Sequence, residues 1–169
     1  MWFLILSMVS VAAVLLGGAY FKRNLLPEVL IGLFIGFSWE ITTAPLWDYN
    51  LNNLTMFNVE GEELSVEVIF LWGAVLAVSS LMTEFIQKKI FKKVNNTTFF
   101  LSGLIIFIAV GWLIEYIGSQ YNFWSYSWSF RNFVFGVPAV VLYGWAFASV
   151  LYLSTIKIYR DGIRNILRK

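Results

Sequence analysis

The chain has 169 residues, 59% of them hydrophobic and 13% charged, about half the charge of a soluble domain. That composition, with 16 Phe, 8 Trp and 8 Tyr, excludes both a water-soluble globule and a disordered chain. Cys and His are both absent, which excludes disulfides, thiolate or imidazole metal sites, Cys nucleophiles, a Ser-His-Asp triad and haem ligation by either residue.

A helix needs about 20 apolar residues to cross the hydrocarbon of a bilayer. Five stretches satisfy this, at 1–20, 25–44, 64–86, 98–118 and 134–154. The expected fold is therefore an all-α, polytopic integral membrane protein with about five transmembrane helices. The first stretch lacks the basic flank and the small-x-small cleavage site of a signal peptide and reads as a retained span. Lys22 and Arg23 follow it, Lys88, Lys89, Lys92 and Lys93 follow the third span, and Lys157, Arg160, Arg164, Arg168 and Lys169 follow the fifth. Eleven of twelve basic residues thus fall on one face, Arg131 being the exception, so the N-terminus is expected outside and the C-terminus inside a cell membrane. Arg131 would pair with an outer carboxylate or with a lipid phosphate. The tail would lie along the anionic inner leaflet or serve simply as a positive-inside anchor.

The two outer segments, 45–63 and 119–133, hold Trp47, Tyr49, Trp124, Tyr126 and Trp128, which alone mean no more than an interfacial aromatic belt. Asn53-Leu54-Thr55 matches a glycosylation sequon. More telling is a self-similarity at an offset of about 75 residues. Gly36-Phe37-Ser38-Trp39-Glu40 matches Gly111-Trp112-Leu113-Ile114-Glu115, and Trp47-Asp48-Tyr49 matches Trp124-Ser125-Tyr126. Leu71-Trp72-Gly73 then falls opposite Leu142-Tyr143-Gly144. Because spans two and four would cross in the same direction, this implies a parallel two-helix internal repeat. The single membrane domain divides into a first span (1–24), repeat 1 (25–93), repeat 2 (94–157) and a basic tail (158–169).

A carboxyl within a span costs about 2.5–3.5 kcal/mol on insertion scales, so each is a functional candidate. Glu40, Glu67 and Glu115 come from three spans at similar depth and are the expected catalytic acids. In a pocket of aromatics, a neutral carboxylic acid donates a proton to an apolar substrate. The faces of Trp39, Trp47, Tyr49, Trp112, Tyr116, Trp124, Tyr126 and Trp145 would bind that substrate and stabilise a developing carbocation. Each acid has a structural alternative: Glu40 and Glu115 would hydrogen-bond between helices, and Glu67 would continue the acidic run Glu60, Glu62, Glu63. Glu28, after Pro27, suits a helix start, Glu84 suits an i,i+4 pair with Lys88, and Asp48 suits a solvated loop. Gly32, Gly36, Gly103, Gly111 and Gly144 mark close helix approaches, and Pro138 the start or a kink of the fifth span. No Asp-rich pair suits a magnesium-bound diphosphate, no Lys lies within a span, and no phosphate loop or dinucleotide fingerprint is present. Neither a metal nor a cofactor is expected, nor nucleic-acid binding.

The segment Leu46-Trp47-Asp48-Tyr49-Asn50 to Leu64-Ser65-Val66-Glu67-Val68-Ile69-Phe70 resembles the repeat of the membrane-integral lycopene cyclase domain. That repeat joins an aromatic pair, a loop and a Pro-x-Glu-Glu helix start, here reduced to Ser65-Val66-Glu67. Glu115-Tyr116-Ile117-Gly118, Trp124-Ser125-Tyr126 and Gly136-Val137-Pro138 with Trp145 are similar to the carotenoid hydratase family. The resemblance implies a cofactor-independent isoprenoid cyclase or hydratase in which Glu67 and Glu115 act as acids and Glu40 is the repeat counterpart of Glu115. Other readings are a non-catalytic membrane subunit or lipophile-binding protein, alone or as part of a homo- or hetero-oligomer, and a small transporter component. Catalysis requires the three carboxyls to converge on an aromatic cavity roomy enough for a prenyl chain. A packing role needs no cavity, and a transporter needs a water path to the inner face.

Overall fold

The computed structural model describes residues 2–20, 23–43, 46–49, 55–59, 62–91, 95–126 and 133–167. Apolar runs free of interior proline build five helices: α1 (Trp2–Tyr20), α2 (Leu26–Thr43), α3 (Val66–Ile86), α4 (Asn96–Gln120) and α5 (Ala139–Leu167). Helix α3 continues into a π-helical turn at Gln87–Phe91. Four helical segments, Leu26–Thr43, Val66–Phe91, Asn96–Gln120 and Ala139–Gly162, are long and apolar enough to cross a membrane, while the apolar part of α1, Leu4–Tyr20, is shorter. Ser65 caps α3 by accepting the Val68 amide at 3.3 Å, and Asn95 caps α4 by accepting the Thr98 amide at 2.7 Å. Pro138 is the last residue before α5, where its fixed φ suits a helix entry and its missing N–H is harmless. Helix α5 runs to Leu167 and so takes in the basic segment from 158 as far as that residue.

Helix α2 packs on α3 and α4 on α5, with α3 central and touching every other helix. Gly32 makes the first contact possible, since a Cβ there would stand 3.0 Å from the Gly73 Cα. The connections 44–65 and 121–138 are not plain loops. They contain β1 (Trp47–Tyr49), the hairpin β2–β3 (Met56–Val59, Glu62–Ser65), β4 (Trp124–Tyr126) and the hairpin β5–β6 (Phe133–Val134, Val137–Pro138). Strands β1 and β4 pair antiparallel with Trp47 opposite Tyr126, Asp48 opposite Ser125 and Tyr49 opposite Trp124. This ties the two long connections together at one end of the bundle. The core beneath them runs from Trp72 and Trp145 through Leu76, Phe107 and Ala148 to Tyr152, Leu153 and Ile156.

Candidate functional site

Glu40, on the last turn of α2, is buried, and its two oxygens are both used. Oε1 accepts the Trp72 indole N–H at 2.8 Å and Oε2 accepts the Tyr49 hydroxyl. Glu115, on α4, is buried in a matching setting: Oε1 accepts the Trp145 indole N–H at 3.1 Å, and Oε2 accepts the Trp124 N–H at 3.1 Å and the Tyr126 hydroxyl at 2.9 Å. Indole N–H groups are donors without acceptor capacity. Each carboxyl is therefore fixed by groups arriving from a returning helix and from a strand of the β1–β4 pair.

Glycine one turn before each glutamate makes room for the tryptophan. A Cβ at Gly36 would lie 2.3 Å from Trp72 Cβ, and one at Gly111 would lie 2.2 Å from Trp145 Cδ2. The two indoles meet between the carboxyls, stacked at 4.3 Å with 24° between their planes. A cavity of about 40 Å³ lies here, lined by Glu40, Glu115, Tyr49, Trp72, Trp124 and Trp145, with apolar contributions from α3 and α4. It has room for roughly two or three waters, well below the several hundred Å³ that enclose a prenyl chain. Burial, and then the adjoining Glu40 charge, pushes the Tyr49 hydroxyl well above its ordinary value; burial and Glu115 do the same to Tyr126. Both phenols therefore remain protonated donors at physiological pH.

The third expected acid is elsewhere. Glu67 is fully buried, but its oxygens accept the Thr55 backbone N–H at 2.8 and 3.1 Å and the Ser65 hydroxyl at 3.1 Å, and it does not line the cavity. Two residues into α3, it sits where a negative charge complements the helix N-terminus while anchoring the preceding segment. The expected convergence of three carboxyls thus becomes a convergence of two.

The aromatic candidates divide as well. Tyr49, Trp124 and Trp145 line the cavity, and Tyr126 reaches Glu115 from its rim. Trp39 lies over Gly144 and tilts towards Trp72 at 6.5 Å. Trp112 and Tyr116 stack on each other at 5.5 Å on another side of α4, where the Trp112 N–H donates to the Val134 carbonyl of the β5–β6 hairpin at 3.2 Å. Neither of them lines the cavity. The Trp47 and Asp48 side chains, the sequon residues Asn53 and Leu54, Trp128 and Arg131 lie outside the described residues.

Trp72 is the site residue that the sequence reading left out. Placing Leu71-Trp72-Gly73 opposite Leu142-Tyr143-Gly144 hid its role, because the residue that matches Trp72 in space is Trp145, two positions further on; Tyr143 is exposed. The usable signal was the pairing of each Gly-x-x-x-Glu with a tryptophan on the next helix. Glu84 differs from expectation too: its carboxyl is held by Arg23 at 2.7 Å and Arg160 at 2.6 Å, which leaves Lys88 exposed.

No protein-family model, characterised protein or solved structure matches this chain.

Proposed function

We propose that this chain is a cell-membrane enzyme of five spans, N-terminus outside, that protonates a C=C bond of an isoprenoid or carotenoid and so acts as a cyclase or hydratase. The observation that carries this reading is the arrival of Glu40 and Glu115, from two different helices, at one aromatic cavity, so the proposed reaction runs on two carboxyls and not on the three that the sequence called for. A carboxylic acid of the pair gives its proton to a terminal alkene carbon. The resulting carbocation lies against indole faces and the carboxylate left behind. Loss of a proton from carbon, or capture by water with loss of a proton from oxygen, returns the acid to its starting state. Entry of the reacting end requires Trp72 and Trp145 to part, because the closed cavity is too small for it.

We also infer that the site arose by duplication of a two-helix unit, parallel in the membrane. In its support, β1 and β4 pair about the Asp48–Ser125 midpoint as a two-fold axis would require, and Trp72 stacks on Trp145 between the matched carboxyls.

A second reading, a non-catalytic subunit in which the carboxyls clasp the helices, is favoured by the donor set that occupies all four carboxyl oxygens. Co-production with an acyclic polyene such as lycopene separates the two. Catalysis predicts a new product that Glu40→Gln or Glu115→Gln reduces about 100-fold or more in protein that remains folded. An unchanged polyene, with variants that merely unfold at lower temperature, would establish the clasp.

A further inference from the structure

At the end of the bundle opposite the strands, four charged side chains form a closed alternating ring. Arg23, in the α1–α2 connection, donates to Glu28 at 2.6 Å and to Glu84 at 2.7 and 3.0 Å; Arg160, late in α5, donates to Glu84 at 2.6 Å and to Glu28 at 2.7 Å. The ring joins that connection to α2, α3 and α5. The Glu28 side chain is 5% exposed and the other three lie between 20% and 27%. Above the ring, the Tyr152 hydroxyl donates to the Glu28 carbonyl at 3.2 Å, and Leu76, Phe107, Ala148, Tyr152 and Leu153 are all fully buried. Glu28 and Glu40 are twelve residues apart on α2, so about 18 Å of helix separates the ring from the carboxyl cavity.

We propose that the ring of Arg23, Glu28, Glu84 and Arg160 is the lock that closes the inner end of the bundle, so that the carboxyl cavity is reached from the strand end alone. The layer above the ring is closely packed, with Leu76, Phe107 and Leu153 fully buried around the enclosed hydroxyls of Ser79, Ser80, Thr83 and Ser149, and the ring holds the three helices together beneath it. Both guanidiniums bridge both carboxyls, so losing any one member leaves a part-buried charge short of a partner. The outer end is held differently, by hydrogen bonds around a cavity, and is the side able to open. This proposal concerns access and stands whether or not the cavity carries out proton transfer.

The natural absence of cysteine makes the test direct. Leu71 lines the cavity, so Leu71→Cys in sealed, oriented vesicles reports access when challenged with a small charged methanethiosulfonate from either side. Modification is expected from the strand side and not from the Lys/Arg-rich side. Arg160→Gln in the Leu71→Cys background should raise modification from the Lys/Arg-rich side by about tenfold or more, while Arg160→Lys should not. Glu84→Gln, which keeps its shape, is read in parallel, and retained modification from the strand side shows in each variant that the fold survives. Modification of the parent from the Lys/Arg-rich side, or from neither side, overturns the proposal. So does a folded Arg160→Gln or Glu84→Gln that remains sealed.

Discussion

Gly111→Ala places one methyl group against the side chain that orients Glu115. The new Cβ would stand 2.2, 2.3 and 2.7 Å from Trp145 Cδ2, Cγ and Cε2. The indole must retreat by about 1 Å or more to reach ordinary contact. It has nowhere to go, because its other face is stacked on Trp72 at 4.3 Å. Retreat also stretches the 3.1 Å bond from its N–H to Glu115 Oε1. Overpacking costs about 1–3 kcal/mol and losing a hydrogen bond to a charged group about 1.5–3 kcal/mol. The better helix propensity of alanine returns about 1 kcal/mol, leaving a net loss of roughly 1.5–5 kcal/mol. Thermal unfolding in detergent should show a midpoint lower by roughly 3–20 °C. Gly17→Ala is the control, since among the described residues nothing beyond its own helix backbone and chain neighbours lies within 4 Å of the added Cβ, and it should be neutral or slightly stabilising. Equal midpoints for Gly111→Ala and the parent would refute the wedge of glycine, tryptophan and glutamate as the element that builds the site.

Trp72→Phe keeps an aromatic ring in the stack but removes the donor to Glu40 Oε1, and should cost about 1.5–3 kcal/mol; Trp145→Phe should match it in the same melts, since each indole serves one carboxyl. Glu67→Gln weakens the grip on the Thr55 amide and removes a charge from the α3 N-terminus; it should cost about 1–2 kcal/mol and speed hydrogen exchange at Thr55, leaving the near-ultraviolet signature of the Trp72–Trp145 stack intact. Tyr49 and Tyr126 should resist ionisation while the protein is folded, so phenolate absorption at about pH 11 should rise on unfolding. The sign follows from proton counting. Below about pH 10 both states hold these protons and stability does not change; above it the unfolded chain releases them first, and stability falls as pH rises. Eight tyrosines titrating together in the folded protein would contradict the buried phenol–carboxyl pairs.

Much of the helical layout was legible in the sequence because apolar length and caps are local properties. The expected spans 25–44, 64–86 and 98–118 stand within about two residues of α2, α3 and α4. The two buried carboxyls and the Trp-x-Tyr pairs were legible for the same reason. Which groups meet them was not, because hydrogen-bond partners across helices depend on rotation and packing that spacing does not encode. Glu84 shows this well: its neighbour four residues on is Lys88, yet its partners lie 61 residues before it and 76 residues after it. Glu67 looked equivalent to Glu40 and Glu115 by depth, and one turn of helix decided that it faces a backbone amide instead of the cavity. The sequence by itself determined that the chain is largely apolar helix and that Glu40, Glu67 and Glu115 are carried into it. Tertiary structure decided that two of those acids share a cavity, that Trp72 completes it, and that four charges meet at the far end, because each of these depends on side chains far apart in the chain packing within a few ångströms.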